Sequence, residues 1–157
     1  MLKKLCFVAI VGAICLSAGV TALANSEENI VLRFVMRSTT FTHDGVPRRA
    51  DEAPFLDTVH GRAMLPLRTI AEELGMTVNW IESTQTVTLE RGDLSVSMSI
   101  DTPLPGGMGM PMIVNNRAMV PIRYIAETLN IPVVWDEANN ASIISVPPTL
   151  LETPIQP

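Results

Sequence analysis

Four arginines stand out by their spacing. Arg62 and Arg68 recur as Arg117 and Arg123, 55 residues further on, so the same pair of guanidinium groups is written twice. A guanidinium is a permanently charged planar fork that grips a carboxylate through two parallel hydrogen bonds and also lies flat against a ring. All four are therefore candidate binding residues for a carboxylate or a sugar ring. Arg68 and Arg123 also stand four residues ahead of Glu72 and Glu127, the spacing at which helical side chains pair for a few tenths of a kcal/mol, and that repetition suggests a structural role, with binding as the alternative. A second constellation is Met108, Met110 and Met112, alternating in a Gly/Pro-rich stretch with Met98 nearby. Thioethers suit Cu(I), yet alternate methionines leading toward Val114 also fill irregular core gaps. Packing is the expectation and copper handling the alternative.

The remaining chemistry is sparse. His43 and His60 have no evident third ligand, so no zinc site is expected, and neither a metal nor an organic cofactor is required. Arg91-Gly92-Asp93 spells an adhesion tripeptide, but glycine and charged residues are what a tight hairpin selects in any case. No nucleophile elbow, phosphate loop or HExxH stretch occurs, and no carboxylate pair is marked as acid and base, so no catalytic residue is assigned.

The elements that must position these residues follow from the repeat. Between Arg62–Glu82 and Arg117–Glu137, twelve of twenty-one positions are identical, which identifies an internal duplication with units of about 30–90 and 91–146. In each copy a proline, Pro66 or Pro121, suits the first turn of a helix. Leu67, Ile70, Ala71 and Leu74, and again Ile122, Ile125, Ala126 and Leu129, form a single apolar stripe at helical spacing. Gly75 and Asn130 then supply the left-handed residue that stops a helix. Strand-like segments ending at Trp80 and Trp135 follow, then polar turns and returning strands at 86–90 and 142–146. The two tryptophans, the only ones in the chain, are expected to anchor the core. Leu94, Val96, Met98 and Ile100 alternate as a half-buried strand does, and an earlier hairpin over 30–49 turns at Asp44-Gly45. The pattern predicts an α+β fold of duplicated helix plus β-hairpin units.

At the ends the sequence changes character. Lys3 and Lys4 precede an apolar run from Leu5 to about Val20, and Ala22-Leu23-Ala24 offers a small-x-small cleavage site, so residues 1–24 read as a signal peptide. The run is shorter than the ~20 residues a spanning helix needs, and no transmembrane segment is expected after cleavage. Removal takes away both cysteines and both lysines, leaving nine arginines against sixteen acidic residues, a formal charge of −7. That sign excludes a phosphate-backbone binder, so nucleic acid is not an expected partner. Residues 147–157 hold four prolines and no periodicity, and are expected to be a disordered tail.

The pattern of Arg62, Pro66-Leu67-Arg68, Ile70-Ala71, Leu74-Gly75, Val78 and Trp80, repeated at Arg117, Pro121-Ile122-Arg123, Ile125-Ala126, Leu129, Val133 and Trp135-Asp136, resembles the copper amine oxidase N-terminal-like domain, also called the stalk domain. The resemblance covers about residues 30–146. It implies an antiparallel sheet curled around short helices, on secreted or surface proteins of bacteria, commonly beside other modules. It also implies no copper or quinone here, because in the oxidase those belong to a separate catalytic domain whose copper is held by three histidines. The expected function is a secreted, non-catalytic cell-envelope interaction module that contacts cell-wall polymer or another exported protein. A Met-loop copper-handling protein and a small extracellular hydrolase are the alternatives, and a spacer that binds nothing is a third.

Overall fold

The computed structural model describes residues 28–152, so the expected signal peptide and its cleavage site lie outside the described residues. Twelve strands and three short α-helices follow in order. Strands β1 (Ile30–Val35), β2 (Thr40–His43) and β3 (Val46–Arg49) form a meander where a single hairpin was expected, with the β2–β3 turn at Asp44-Gly45 as anticipated. Both turn residues have positive φ, 50° and 77°, the combination a tight hairpin turn demands. Strands β4 (Phe55–Asp57) and β5 (Arg62–Pro66) lead into helix α1 (Leu67–Glu73), and β6 (Thr77–Ile81), β7 (Thr86–Arg91) and β8 (Leu94–Ser99) follow. Then come β9 (Met112–Val114), β10 (Arg117–Pro121), helix α2 (Ile122–Thr128), β11 (Val133–Asp136), β12 (Ala141–Val146) and helix α3 (Pro148–Glu152).

The two repeated helices are built alike. Pro66 and Pro121 close β5 and β10 one position ahead of each helix, where the missing N–H costs nothing, and not in the first turn as expected. The apolar stripe of each helix is buried, with Ile70 and Ile125 fully enclosed. At the far end Met76 N–H donates to the Ala71 carbonyl at 2.8 Å and Gly75 N–H to Glu72 at 3.1 Å; Ile131 to Ala126 at 2.7 Å and Asn130 to Glu127 at 3.2 Å repeat the pattern. This is the Schellman arrangement, which requires a left-handed residue, and Gly75 (φ 60°) and Asn130 (φ 55°) supply it.

Every strand pairing is antiparallel, in three sheets: β11-β12-β1-β2-β3, β4-β5-β10-β9 and β6-β7-β8. In the central sheet β5 meets β10 with Leu65 opposite Val120, Met64 opposite Pro121 and Pro66 opposite Met119. At the 55-residue offset Leu65 corresponds to Val120, so corresponding strands pair about their own corresponding residue. The outer sheets exchange strands between the two halves of the sequence: β8 completes the sheet of β6 and β7, while β1 lies beside β12. Helix α1 packs on β10 as well as β5, and α2 packs on β5. One continuous apolar core results, running from Leu32 and Phe34 through Ile70 and Leu89 to Ile125 and Ile144.

The tail expectation is corrected in part. Residues 148–152 form α3, with Leu150 and Leu151 packed against the core; Pro148 opens the helix without losing a hydrogen bond, and the two leucines supply its apolar anchor. Residues 153–157 lie outside the described residues. Exchange of β1 and β8 leaves each half without a partner strand, and a chain of about 60 residues buries too little surface to be stable alone. Segments 28–91 and 92–152, produced separately, are therefore expected to show no cooperative thermal unfolding by circular dichroism. A cooperative transition in either one would contradict the shared core.

Candidate functional site

The duplicated arginines and tryptophans converge, though not within their own repeats. One cleft, of about 310 Å³, is formed where Arg62 and Ala63 of β5 meet Ile122 and Arg123 of α2 and Val133 and Trp135 of β11. A second, of about 410 Å³, is formed where Arg117 and Ala118 of β10 meet Leu67 and Arg68 of α1 and Val78 and Trp80 of β6. Each of these residues has its counterpart at the 55-residue offset in the other cleft. Even the floor corresponds: Ser142 of one matches Val87 of the other, and Gly61 matches Asn116. Leu56 and Ile113 also stand in matching places, opposite Ala63 and Ala118 in the strand register. Each cleft therefore takes its strand arginine from one half of the chain, and its helix arginine and tryptophan from the other.

Trp80 and Trp135 are consequently not the core anchors expected. They remain 45% and 37% exposed. Strands β6 and β11 are sheet edges, each terminating its sheet. Arg68 and Arg123 are exposed too, and among the described residues neither has a carboxylate within 4 Å, so the anticipated helical pairs with Glu72 and Glu127 do not form. Arg62 and Arg117 are held by backbone. Arg62 Nη1 donates to Gly61 O and Arg117 Nη1 to Asn116 O, both at 3.2 Å, and Arg62 Nη2 reaches Gly107 O at 2.9 Å.

The two clefts differ in charge. Asp51 Oδ2 lies 2.8 Å from Arg117 Nε, and Thr69 Oγ1 donates to the other Asp51 oxygen at 3.0 Å, so Arg117 has a fixed counter-ion. Trp80 donates its indole N–H to Glu82, which also lines that cleft. No acidic residue lines the Trp135 cleft, and the position corresponding to Asp51 is Gly106. Asp57 stands opposite Arg62 in the strand register, and Asp136 follows Trp135 at the end of β11. Burial pushes the Asp57 carboxyl up, but the hydrogen bond with His60 and the Val59 N–H outweigh burial and hold it below the usual carboxylate range.

The other candidates separate. Met98 is buried in β8 and Met108 packs on the core, while Met110 and Met112 are half-buried. His43 Nδ1 is 2.6 Å from Glu73, which Arg48 also meets at 3.1 Å; this cluster ties the end of α1 to the β2–β3 hairpin. His60 Nδ1 is 2.5 Å from Asp57. That is the geometry of a base with its orienting acid, but among the described residues no hydroxyl nucleophile is hydrogen-bonded to His60. No three His, Cys, Asp or Glu side chains converge in a ligand cluster among the described residues. The adhesion tripeptide is unavailable as such, because Arg91 turns inward to the Leu74 carbonyl at 2.7 Å and to the Leu151 carbonyl.

The model of the copper amine oxidase N-terminal domain matches residues 42–105 and 108–152, both copies of the repeat and most of the chain. The chain belongs to this family. No curated protein and no solved structure matches it. The copper amine oxidase N-terminal domain is a non-catalytic, stalk-like domain. What the sequence did not reveal in this copper amine oxidase N-terminal domain was the crossing of the halves. The missed signal was the period-55 match itself: equal strands that pair antiparallel about an equal residue force their flanking arginines across the junction.

The strand arginine of the Trp135 cleft rests on Gly109. A Cβ there would lie 3.1 Å from Arg62 Cγ and 3.3 Å from Pro121 Cγ, on a backbone with φ of +91°. Gly109→Ala is expected to lower unfolding free energy by about 1–3 kcal/mol and to displace Arg62, as measured by denaturant titration and by the amide shifts of β5.

Proposed function

We propose that this protein is an exported, non-catalytic cell-envelope module, made from one unit written twice, whose arginine and tryptophan clefts hold anionic or hydroxyl-rich envelope polymer. The observation that carries this reading is the exposure of both tryptophans beside guanidinium groups that have no carboxylate partner, Arg68 and Arg123. An exposed indole beside a donor fork is costly to leave in water and suits a ligand with an apolar face and polar edges. Two such clefts on one rigid body favour a repeating ligand, since a second contact made by the same chain is effectively intramolecular. The net negative charge of the protein opposes long-range attraction to an anionic polymer, so binding is local and only modestly salt-sensitive. Export is supported by the leader-like sequence of residues 1–24.

Purified protein is expected to co-sediment with insoluble cell-wall material and to turn over no amine, ester or glycan. Replacing both Arg62 and Arg117 with Gln is expected to reduce retention about tenfold or more, the loss of two charge-assisted contacts. Retention that is absent, or unchanged in the double variant, would favour a pure spacer. Mass spectrometry of protein recovered from the medium is expected to give an N-terminus at Asn25; intact Met1 on membrane-bound material would overturn export.

A further inference from the structure

Correspondence between the clefts makes their difference in charge informative. Both have a strand arginine, a helix arginine and a tryptophan, yet only the Trp80 cleft carries acids of its own. There Asp51 stands beside Arg117 and Glu82 accepts the indole N–H, so two acids offset the two guanidinium groups of the lining. In the Trp135 cleft Arg62 and Arg123 line the recess with no acid among the described lining residues. Among the described residues Arg123 makes no hydrogen bond or ion pair, and the buried Nε of Arg62, like that of Arg117, has no hydrogen-bond acceptor. Two guanidinium groups with donors left over form a site for negative charge. The adjacent exposed indole adds a flat apolar wall, with Val133 and Leu56 alongside.

We propose that the Trp135 cleft is the acidic-sugar subsite of this module: the carboxylate of a hexuronate unit is received by Arg123 and Arg62 while the C–H face of the ring lies on Trp135. The Trp80 cleft, with Asp51 and Glu82 in its lining, does not take the acid. Planar bidentate recognition accounts for the carboxylate, and the indole face accounts for a ring in place of an extended acidic side chain. The cleft volume of about 310 Å³ is at the small end for ligand pockets and leaves room for a small unit of a longer ligand. This inference rests on the envelope-polymer function and narrows it to one cleft and one chemistry.

The chain has two tryptophans, one per cleft, so its two indole N–H resonances report the sites separately. Trp80→Phe assigns them. In the wild-type protein, titration with tetragalacturonate is expected to move the Trp135 indole signal and leave Trp80 in place, while neutral maltotetraose and tetraglutamate leave both in place. Arg123 supports no other side chain, so Arg123→Gln keeps the fold and is expected to weaken the tetragalacturonate response about tenfold. Movement of both indoles alike, movement of Trp80 alone, an equal response to tetraglutamate, or an unaltered response in Arg123→Gln would each overturn the proposal. Wall retention by a protein whose Trp135 signal ignores tetragalacturonate would remove this subsite and leave the broader function standing. A Trp135 response without wall retention would keep the subsite and remove the broader function.

Discussion

The pairing of β5 with β10 is the constraint on which the rest of the structure depends. Leu65 faces Val120, its own counterpart, and both are completely buried. An antiparallel pair centred on corresponding residues is self-complementary: whatever contact residue i makes with residue j, the counterpart of j makes with the counterpart of i. Helix α1 must then lie over β10 if α2 lies over β5. The outer sheets must exchange strands in the same sense, and so they do, β8 beside β7 and β1 beside β12. No half can satisfy its edges alone, which is why the apolar cluster is continuous through the molecule.

The same constraint creates the clefts. Strands β5 and β10 each begin with an arginine just where the other half presents its helix start and its tryptophan-bearing edge strand. Edge strands are normally blunted against unwanted pairing, and here the indoles of Trp80 and Trp135 stand on those edges. Backbone carbonyls of Gly61 and Asn116 hold the strand arginines in matching poses. Electrostatics then separates the two sites through a few residues: Asp51 and Glu82 in one, and no acid lining the other.

Much of this was legible in the sequence, and the failures are instructive. The helices, their buried stripes and the left-handed stops at Gly75 and Asn130 follow from local periodicity and backbone sterics, which a repeat states twice. The four arginines were found because their spacing recurs. Trp80 and Trp135 were assigned to the core because size and apolarity alone cannot tell an inward from an outward face on an edge strand. The helical ion pairs of Arg68 and Arg123 were overestimated because exposed partners gain little from pairing. Residues 148–152 were missed because prolines mask a short helix whose only signal is the Leu150-Leu151 pair.

Covalent continuity between the halves has a consequence of its own. A homodimer of one unit would carry two identical sites, and any substitution would alter both at once. Here the units are joined through the turn at Gly92-Asp93, with Arg91 tying the junction to α1 and α3. Each position is encoded once, so Asp51 can exist opposite a glycine at its counterpart, Gly106. Fusion of symmetric halves thus preserves the shape of two recesses while freeing their polarity to diverge, and a near-symmetric scaffold acquires a direction along any strand laid across it.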